Sequence, residues 1–177
     1  MHLIVNERIR LTEINSEDKP ALVECLNDPD IFENTLRIPS PYTEADAEAW
    51  LNIVRKSTKQ QGQPVQWAIR TENDALIGGC GFDGLQLGKS HQAEIAYWLA
   101  RSHWGQGIMS AAAAVVCRHA FEEFGLVKII AHVFDFNIGS ARVLEKCGFE
   151  QEGLLRNHFL KQGKLINARR YGLFKPT

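Results

Sequence analysis

Apolar and polar residues alternate from Ile9 to Ile14, the period of a strand with one buried face. Ser16-Glu17-Asp18 then opens a helix, with Ser16 as candidate N-cap and Ala21, Leu22, Cys25 and Leu26 as its apolar stripe. Asn27-Asp28-Pro29 ends that helix, and a loop containing Pro39 and Pro41 follows. Thr43 caps a second helix that runs to about Lys59, with Ala47, Trp50, Leu51 and Val54 on one face. Val65–Arg70 and Leu76–Phe82 read as two strands joined by the turn Glu72-Asn73-Asp74.

Gly78-Gly79-Cys80-Gly81 is thin for a strand and predicts a closely packed neighbour or a bulge. After the polar loop 86–91 comes Ala93–Ala100, an apolar strand with one carboxylate, Glu94. Arg101–Gly107 is a loop, and a helix from about Ile108 to Phe124 follows it. Ile108, Ala112, Val115, Val116 and His119 or Ala120 form its core stripe, and Gly125 stands in the C-cap position. Lys128–Phe134 is a strand and 138–146 a short helix stopped by Gly148. Phe149–Leu155 and Ala168–Phe174 close the chain as strands. No repeat, low-complexity run or dividing linker interrupts the pattern, so residues 1–177 are expected to form one mixed α/β domain.

Composition narrows the partners. Twenty Lys+Arg face 21 Asp+Glu, a formal charge of −1. Nothing steers the chain globally toward nucleic acid, and direct nucleic-acid binding is not expected. Cys25, Cys80, Cys117 and Cys147 have no short spacing and read as reduced thiols of a cytoplasmic protein. No signal peptide and no run of ~20 apolar residues is seen, so no membrane partner is expected. His2, His91, His103, His119 and His132 are scattered without metal-ligand spacing, and no metal site is expected.

Two stretches carry candidate chemistry. Gly105 and Gly107 let the backbone curl and bare successive N–H groups at a helix start, a seat for phosphate without a basic cluster. The same Gly-x-Gly turn is also compatible with a mere tight connection. GxxxxGK[ST] is absent, and so is a third glycine with a distant ribose-binding acid. In the second stretch, Asn137 through Phe149, an Asn turns the chain and a hydroxyl, Ser140, follows one turn into a helix. Alone, Asn137 reads as an N-cap and Ser140 as a helix-bonded or solvated hydroxyl. The pair gains meaning only if two strand ends lie side by side with a ligand threaded between them.

Ala93-Glu94-Ile95-Ala96-Tyr97-Trp98-Leu99, Trp104-Gly105-Gln106-Gly107 and Asn137-x-x-Ser140 through Glu145-Lys146-Cys147-Gly148-Phe149 resemble the GNAT superfamily of acyl-CoA N-acyltransferases, in its RimJ/RimL-like branch. Ile9-Arg10-Leu11, Pro41-Tyr42-Thr43, Glu152–Arg156 and Tyr171-Gly172-Leu173 extend the resemblance over nearly the whole chain. It implies a central, mostly antiparallel, splayed sheet flanked by helices, with acetyl-CoA as co-substrate. It also implies that Trp104, Gly105, Gln106, Gly107, Ile108, Met109 and Ser110 hold the pyrophosphate. Trp98, Leu99, Ala100 and Arg101 would bond the pantetheine like an added strand, with Asn137 facing the arm and Ser140 the thioester sulfur. Arg142 and Lys146 would meet the adenosine phosphate end, unless they are simply solvated. Many superfamily members carry a Tyr one turn after that Ser; Leu144 stands here, which shifts the thiolate-stabilising role to Ser140.

Transfer to an amine needs a neutral nitrogen. A free α-amine of pKa about 7.7–8.0 needs about 1 kcal/mol at pH 7, whereas a lysine near 10.4 needs about 4.6 kcal/mol. Glu94 is the leading base, on the expectation that burial raises its pKa, with the alternative that a neighbouring backbone group or Arg satisfies it. His158 is the second choice, in the stretch where related enzymes are thought to place a base. The branch implies a protein N-terminal amine as acceptor; a small amine (amino acid, polyamine, antibiotic) or a non-catalytic acyl-CoA-binding module are the alternatives. Either state, monomer or homodimer, is compatible with the sequence.

Overall fold

The sheet begins with β1 (Leu3–Ile4), a short strand that the hydrophobic pattern does not announce, antiparallel to β2 (Ile9–Thr12). The computed structural model describes residues 2–176. Asn15, rather than Ser16, opens the first helical segment: its side-chain oxygen accepts the Glu17 N–H at 2.8 Å, and the Asp18 carboxylate accepts the Asn15 N–H at 2.9 Å. This reciprocal cap satisfies two donors at once, which a serine one position later cannot do. A 3-10 turn leads into α1 (Lys19–Leu26).

The stretch expected to be loop contains a helix, α2 (Pro29–Asn34). Asp28 caps it, accepting the N–H groups of Asp30 and Ile31, and Pro29 takes the first helical position, where its missing donor costs nothing. Thr43 caps α3 (Glu44–Gln61) as expected, in a capping box with Asp46.

β3 (Gln66–Thr71), β4 (Leu76–Asp83) and β5 (Gln92–Leu99) pair antiparallel in turn. The glycines of β4 answer close approach: a Cβ on Gly81 would lie 2.4 Å from the Val65 carbonyl oxygen, and one on Gly79 2.6 Å from Nε1 of Trp98. α4 (Ile108–Glu123) follows, then β6 (Lys128–Phe134), α5 (Ile138–Lys146), β7 (Glu150–Lys161) and β8 (Lys164–Phe174). The last two strands are far longer than expected and form a hairpin turned at Gln162-Gly163, both at positive φ. Residues 156–167 carry no clean alternation, since this hairpin is half solvent-facing and bulged near Leu155–Phe159.

The sheet order is β1-β2-β3-β4-β5-β6-β8-β7, and β5–β6 is the parallel pair in an otherwise antiparallel sheet. Side chains separate by parity. Trp67, Ile69, Ile95, Ile129 and Ala131 join the core under α4 and α5. Ala68 and Trp98 join the second core, with Leu22 and Leu26 of α1, Ile31 of α2 and Leu51 of α3. α4 buries Met109, Ala112, Ala113, Val116, Cys117, His119, Ala120 and Phe121, so its stripe is turned one residue from the expected one. Ile108 and Val115 lie half-buried at its margin.

His119 is buried, with Nε2 unpartnered among the described residues and its ring edge-on to Trp67 and Phe124. Burial lowers its pKa, with Glu123 and Glu122 opposing. The unfolded chain therefore binds more protons than the native one as pH falls through the ordinary histidine range, near 6.5. Stability is expected to hold above that range and decline below it. His119→Leu should flatten the acid limb of a urea-midpoint against pH plot between about pH 6.5 and 5.

Candidate active site

β5 and β6 pair only over Gln92–Lys128, Ala93–Ile129 and Glu94–Ile130. Beyond Glu94 the strands part: β5 continues to Leu99 beside β4, while β6 continues to Phe134 beside β8. The gap is thus the direct product of two strands held by different neighbours.

Which peptide groups face it follows from the ladder. The Ala100 N–H donates to the Ile77 carbonyl at 2.7 Å, so Ala100 and, by alternation, Trp98 turn their backbone groups to β4. Tyr97 and Leu99 turn theirs into the gap. The Trp98–Arg101 run is therefore not uniformly open. The Leu99 carbonyl already accepts the Trp104 indole N–H at 2.7 Å, and the Arg101 guanidinium pairs with Asp30 at 2.6 Å and stacks on Trp104. Trp98 itself packs toward the α1–α3 core.

Beside the gap, Gly105 and Gly107 adopt φ of +73° and +75°, a region that only glycine enters freely. Gly107 is the N-cap of α4 and supplies no side-chain acceptor, and the first turn holds no acidic residue. The early N–H groups of Ile108, Met109 and Ser110 thus lack a cap and, with the positive end of the helix dipole, favour an anion. Trp104 and Gln106 border this turn, Gln106 donating to the Ser102 carbonyl at 3.2 Å. Met109 points into the core instead.

α5 comes alongside. The Cys147 thiol donates to the Ser110 carbonyl at 3.2 Å, tying the end of α5 to the start of α4. Burial pushes the Cys147 thiol up to about 11, so it stays protonated and donates. Arg142 and Lys146 lie one turn apart on the exposed side of α5, near that junction.

At the other end of α5, Asn137 caps the helix by accepting the Ser140 N–H at 3.0 Å, and its amide reaches the Asn34 carbonyl of α2 at 3.5 Å. Leu144 is fully buried in the core, so the position where many relatives carry a tyrosine does not face the gap. A phenol arrives from another element. Tyr97 Oη lies 2.8 Å from Ser140 Oγ and 3.3 Å from the Ser140 carbonyl oxygen, two acceptors within reach of its one proton. Burial raises its pKa well above the ordinary range, which keeps the phenol protonated. Strand parity could have pointed to Tyr97; its pairing with Ser140 is not written in the sequence.

Glu94 departs from expectation. It is 40 % exposed and not buried, because even positions of β5 face the side opposite α4. Among the described residues, no backbone group or arginine holds it. Its partner is His132, whose Nδ1 lies 2.9 Å from Glu94 Oε1. His132 in turn stacks on His158, ring centroids 5.1 Å apart at 26°. Scattered in sequence, His132 and His158 meet across β8, which β6 and β7 flank, with His158 in the β7 bulge between Leu155 and Phe159. Glu94, His132 and His158 form one cluster at the mouth of the gap.

No helix among the described residues is long and apolar enough to cross a membrane. Residues 8–150 match the family described as "Acetyltransferase (GNAT) domain". Over 176 residues the chain is 30% identical to the uncharacterized N-acetyltransferase p20 of Bacillus licheniformis, covering 99% of this chain and 97% of that one. It is 35% identical over 109 residues to the ribosomal-protein-serine acetyltransferase of Escherichia coli strain K12, covering 61% of this chain and 56% of that one. In fold it is similar to RimL, a ribosomal L7/L12 alpha-N-protein acetyltransferase solved with coenzyme A, at a TM-score of 0.87 and 18% identity over 98% of both chains. It is also similar to the microcin C7 self-immunity acetyltransferase MccE, solved with acetyl-CoA and AMP, at a TM-score of 0.86 and 17% identity over 97% of this chain and 94% of that one. The family match runs across both strands of the gap and most of the chain, and the chain therefore belongs to the GNAT family, as an acetyl-CoA-dependent N-acetyltransferase.

Proposed function

We propose that the chain acetylates the α-amino group of a protein or peptide N-terminus. The observation that carries this reading is the end of β5–β6 pairing at Glu94–Ile130, which leaves a gap with hydroxyls on one face and a carboxylate–imidazole cluster on the other. The acetyl-CoA arm lies in that gap, bonded by the peptide groups of Tyr97 and the N–H of Leu99, the Leu99 carbonyl being taken by the Trp104 indole. The pyrophosphate sits on the uncapped start of α4 at Trp104–Ser110, and Arg142 and Lys146 meet the adenosine phosphate end. Asn137 faces the arm. Ser140 donates a hydrogen bond to sulfur as negative charge develops there, while the Tyr97 phenol holds its oxygen. Glu94 and His158 belong to the group that receives the amine proton.

The acceptor class rests on charge. A polycationic acceptor calls for several unpaired carboxylates around the cleft. Here Asp30 is paired with Arg101, Asp83 with Arg37, and Glu152 with Lys128 and Arg170. An α-amine also needs only about 1 kcal/mol to lose its proton at pH 7, within reach of a partly exposed base. The Escherichia coli relative is a ribosomal-protein-serine acetyltransferase, so its acceptor is a protein, in keeping with this reading. Four free cysteines suit a reducing cytoplasm.

Thiol release from acetyl-CoA, measured with a panel of amines, tests the proposal. Peptides with free N-termini should turn over and N-formylated copies should not. Turnover confined to spermidine, an aminoglycoside or free amino acids would assign a small-molecule acceptor. Tight acetyl-CoA binding with no turnover on any amine would make the chain a binding module.

A further inference from the structure

Among the described residues, His132 is the one histidine that a carboxylate orients. Nδ1 stands 2.9 Å from Glu94 Oε1, which fixes the neutral tautomer with the proton on Nδ1 and leaves the Nε2 lone pair available. Nε2 takes no hydrogen bond among the described residues, yet the side chain is 12 % exposed and not sealed in the core. The residue lies two positions beyond Ile130, the last β6 residue paired with β5, so it stands where the strands first part.

Parity sets the face. Ile129, Ala131 and Val133 enter the core under α4 and α5, so His132 projects from the opposite side. Tyr97 and Ser140 lie on the α4–α5 side, their oxygens 2.8 Å apart. A thioester carbonyl in the gap thus has hydroxyls on one face and an imidazole on the other. The groups facing His132 are Glu94 from β5, His158 and Phe159 from β7, and Arg170 opposite it on β8. Arg170 is engaged by Glu152 at 3.2 Å, and so does not compete for Glu94.

Resting on the acetyltransferase reading above, we propose that His132 Nε2 is the base that removes the acceptor proton, with Glu94 as its positioning residue and His158 stacked behind the ring. The amine lone pair attacks the thioester carbonyl carbon, a C–N bond forms and the C–S bond breaks. One amine proton passes to Nε2, and the sulfur, leaving with the bonding pair, takes a proton relayed through Ser140, whose hydroxyl is restored by a proton from water. The imidazolium yields its proton to water, so the base is regenerated and the net change is one proton moved from nitrogen to sulfur. Glu94 is the partner that stabilises the imidazolium in between.

The test compares wild type, His132→Ala, His132→Gln and Glu94→Gln on the best peptide amine of the panel, with acetyl-CoA binding by calorimetry as the check of folding. His132→Ala and His132→Gln should each lower kcat on the order of 10²-fold, with acetyl-CoA affinity unchanged. Added imidazole should restore part of the rate to His132→Ala alone, where the deleted ring leaves room. Glu94→Gln should lower kcat roughly 10-fold, the loss of an orienting carboxylate costing less than the loss of the base itself, without raising KM for acetyl-CoA. Should both His132 variants bind acetyl-CoA and keep kcat within threefold of wild type, the proposal is overturned. A rate lost in His158→Ala but kept in His132→Ala would overturn it equally, by moving the base to the second ring. A wild-type chain with no turnover on any amine would instead refute the acetyltransferase reading itself, so the two failures are distinct.

Discussion

Ser140→Ala is expected to lower kcat by about 10²–10³-fold, the range seen when a single donor to developing charge is removed. The residue is held from two sides: its backbone N–H donates to Asn137 Oδ1 at 3.0 Å, and Tyr97 Oη lies 2.8 Å from its Oγ. When the Tyr97 proton points at Oγ, the serine proton is free to turn toward sulfur. Alanine preserves the cap, because only the backbone N–H takes part in it, so α5 and acetyl-CoA affinity should be unchanged. Tyr97→Phe should lower kcat less, since Ser140 keeps its proton and loses only its orientation. Pre-steady-state thiol release and CoA calorimetry read the two effects separately. An unchanged kcat in Ser140→Ala would remove this residue from the mechanism.

Trp67→Ala is expected to cost about 3–5 kcal/mol, against a total stability of about 5–15 kcal/mol for a domain of this kind. Trp67 is fully buried, stacked on Phe124 at 6.2 Å and edge-on to His119 at 5.6 Å. It joins β3 to the far end of α4, the helix whose near end forms the phosphate seat. Its indole N–H has no partner among the described residues, and removing that orphan relieves about 1–3 kcal/mol, drawing the cost toward the lower end. Trp67→Phe keeps the stack and drops the orphan, so its loss should be far smaller. Urea denaturation with an unchanged m-value separates a true stability change from a changed denatured state. A loss under 1 kcal/mol for Trp67→Ala would mean that the pocket collapses around the deletion.

Local signals proved legible where one residue determines a backbone state. Thr43 and Asp46 cap α3, Gly105 and Gly107 take positive φ, and Gly125 stops α4 at φ of +68°. Gly79 and Gly81 meet the close neighbours that their bareness implied. Two local signals carry more than one meaning: Asp28-Pro29 is a helix start as well as a helix end, and Asn15 outranks Ser16 because Asp18 can answer it. The β7–β8 hairpin was obscured because its strands face solvent and bulge, which erases the alternation.

By itself, the chain's residue order determined the mixed α/β layout, the glycine-opened helix start, the Asn137 cap and the placement of Ser140 one turn into α5. Each depends on neighbours within a few positions, where propensity and hydrogen-bond reach decide. Only the tertiary structure decided that Glu94 stands half-exposed against His132, that His158 stacks on that ring, and that Tyr97 reaches Ser140. Those partners are 38, 26 and 43 positions apart. They meet through sheet order and strand parity, which emerge when the whole sheet closes, and no local window contains them.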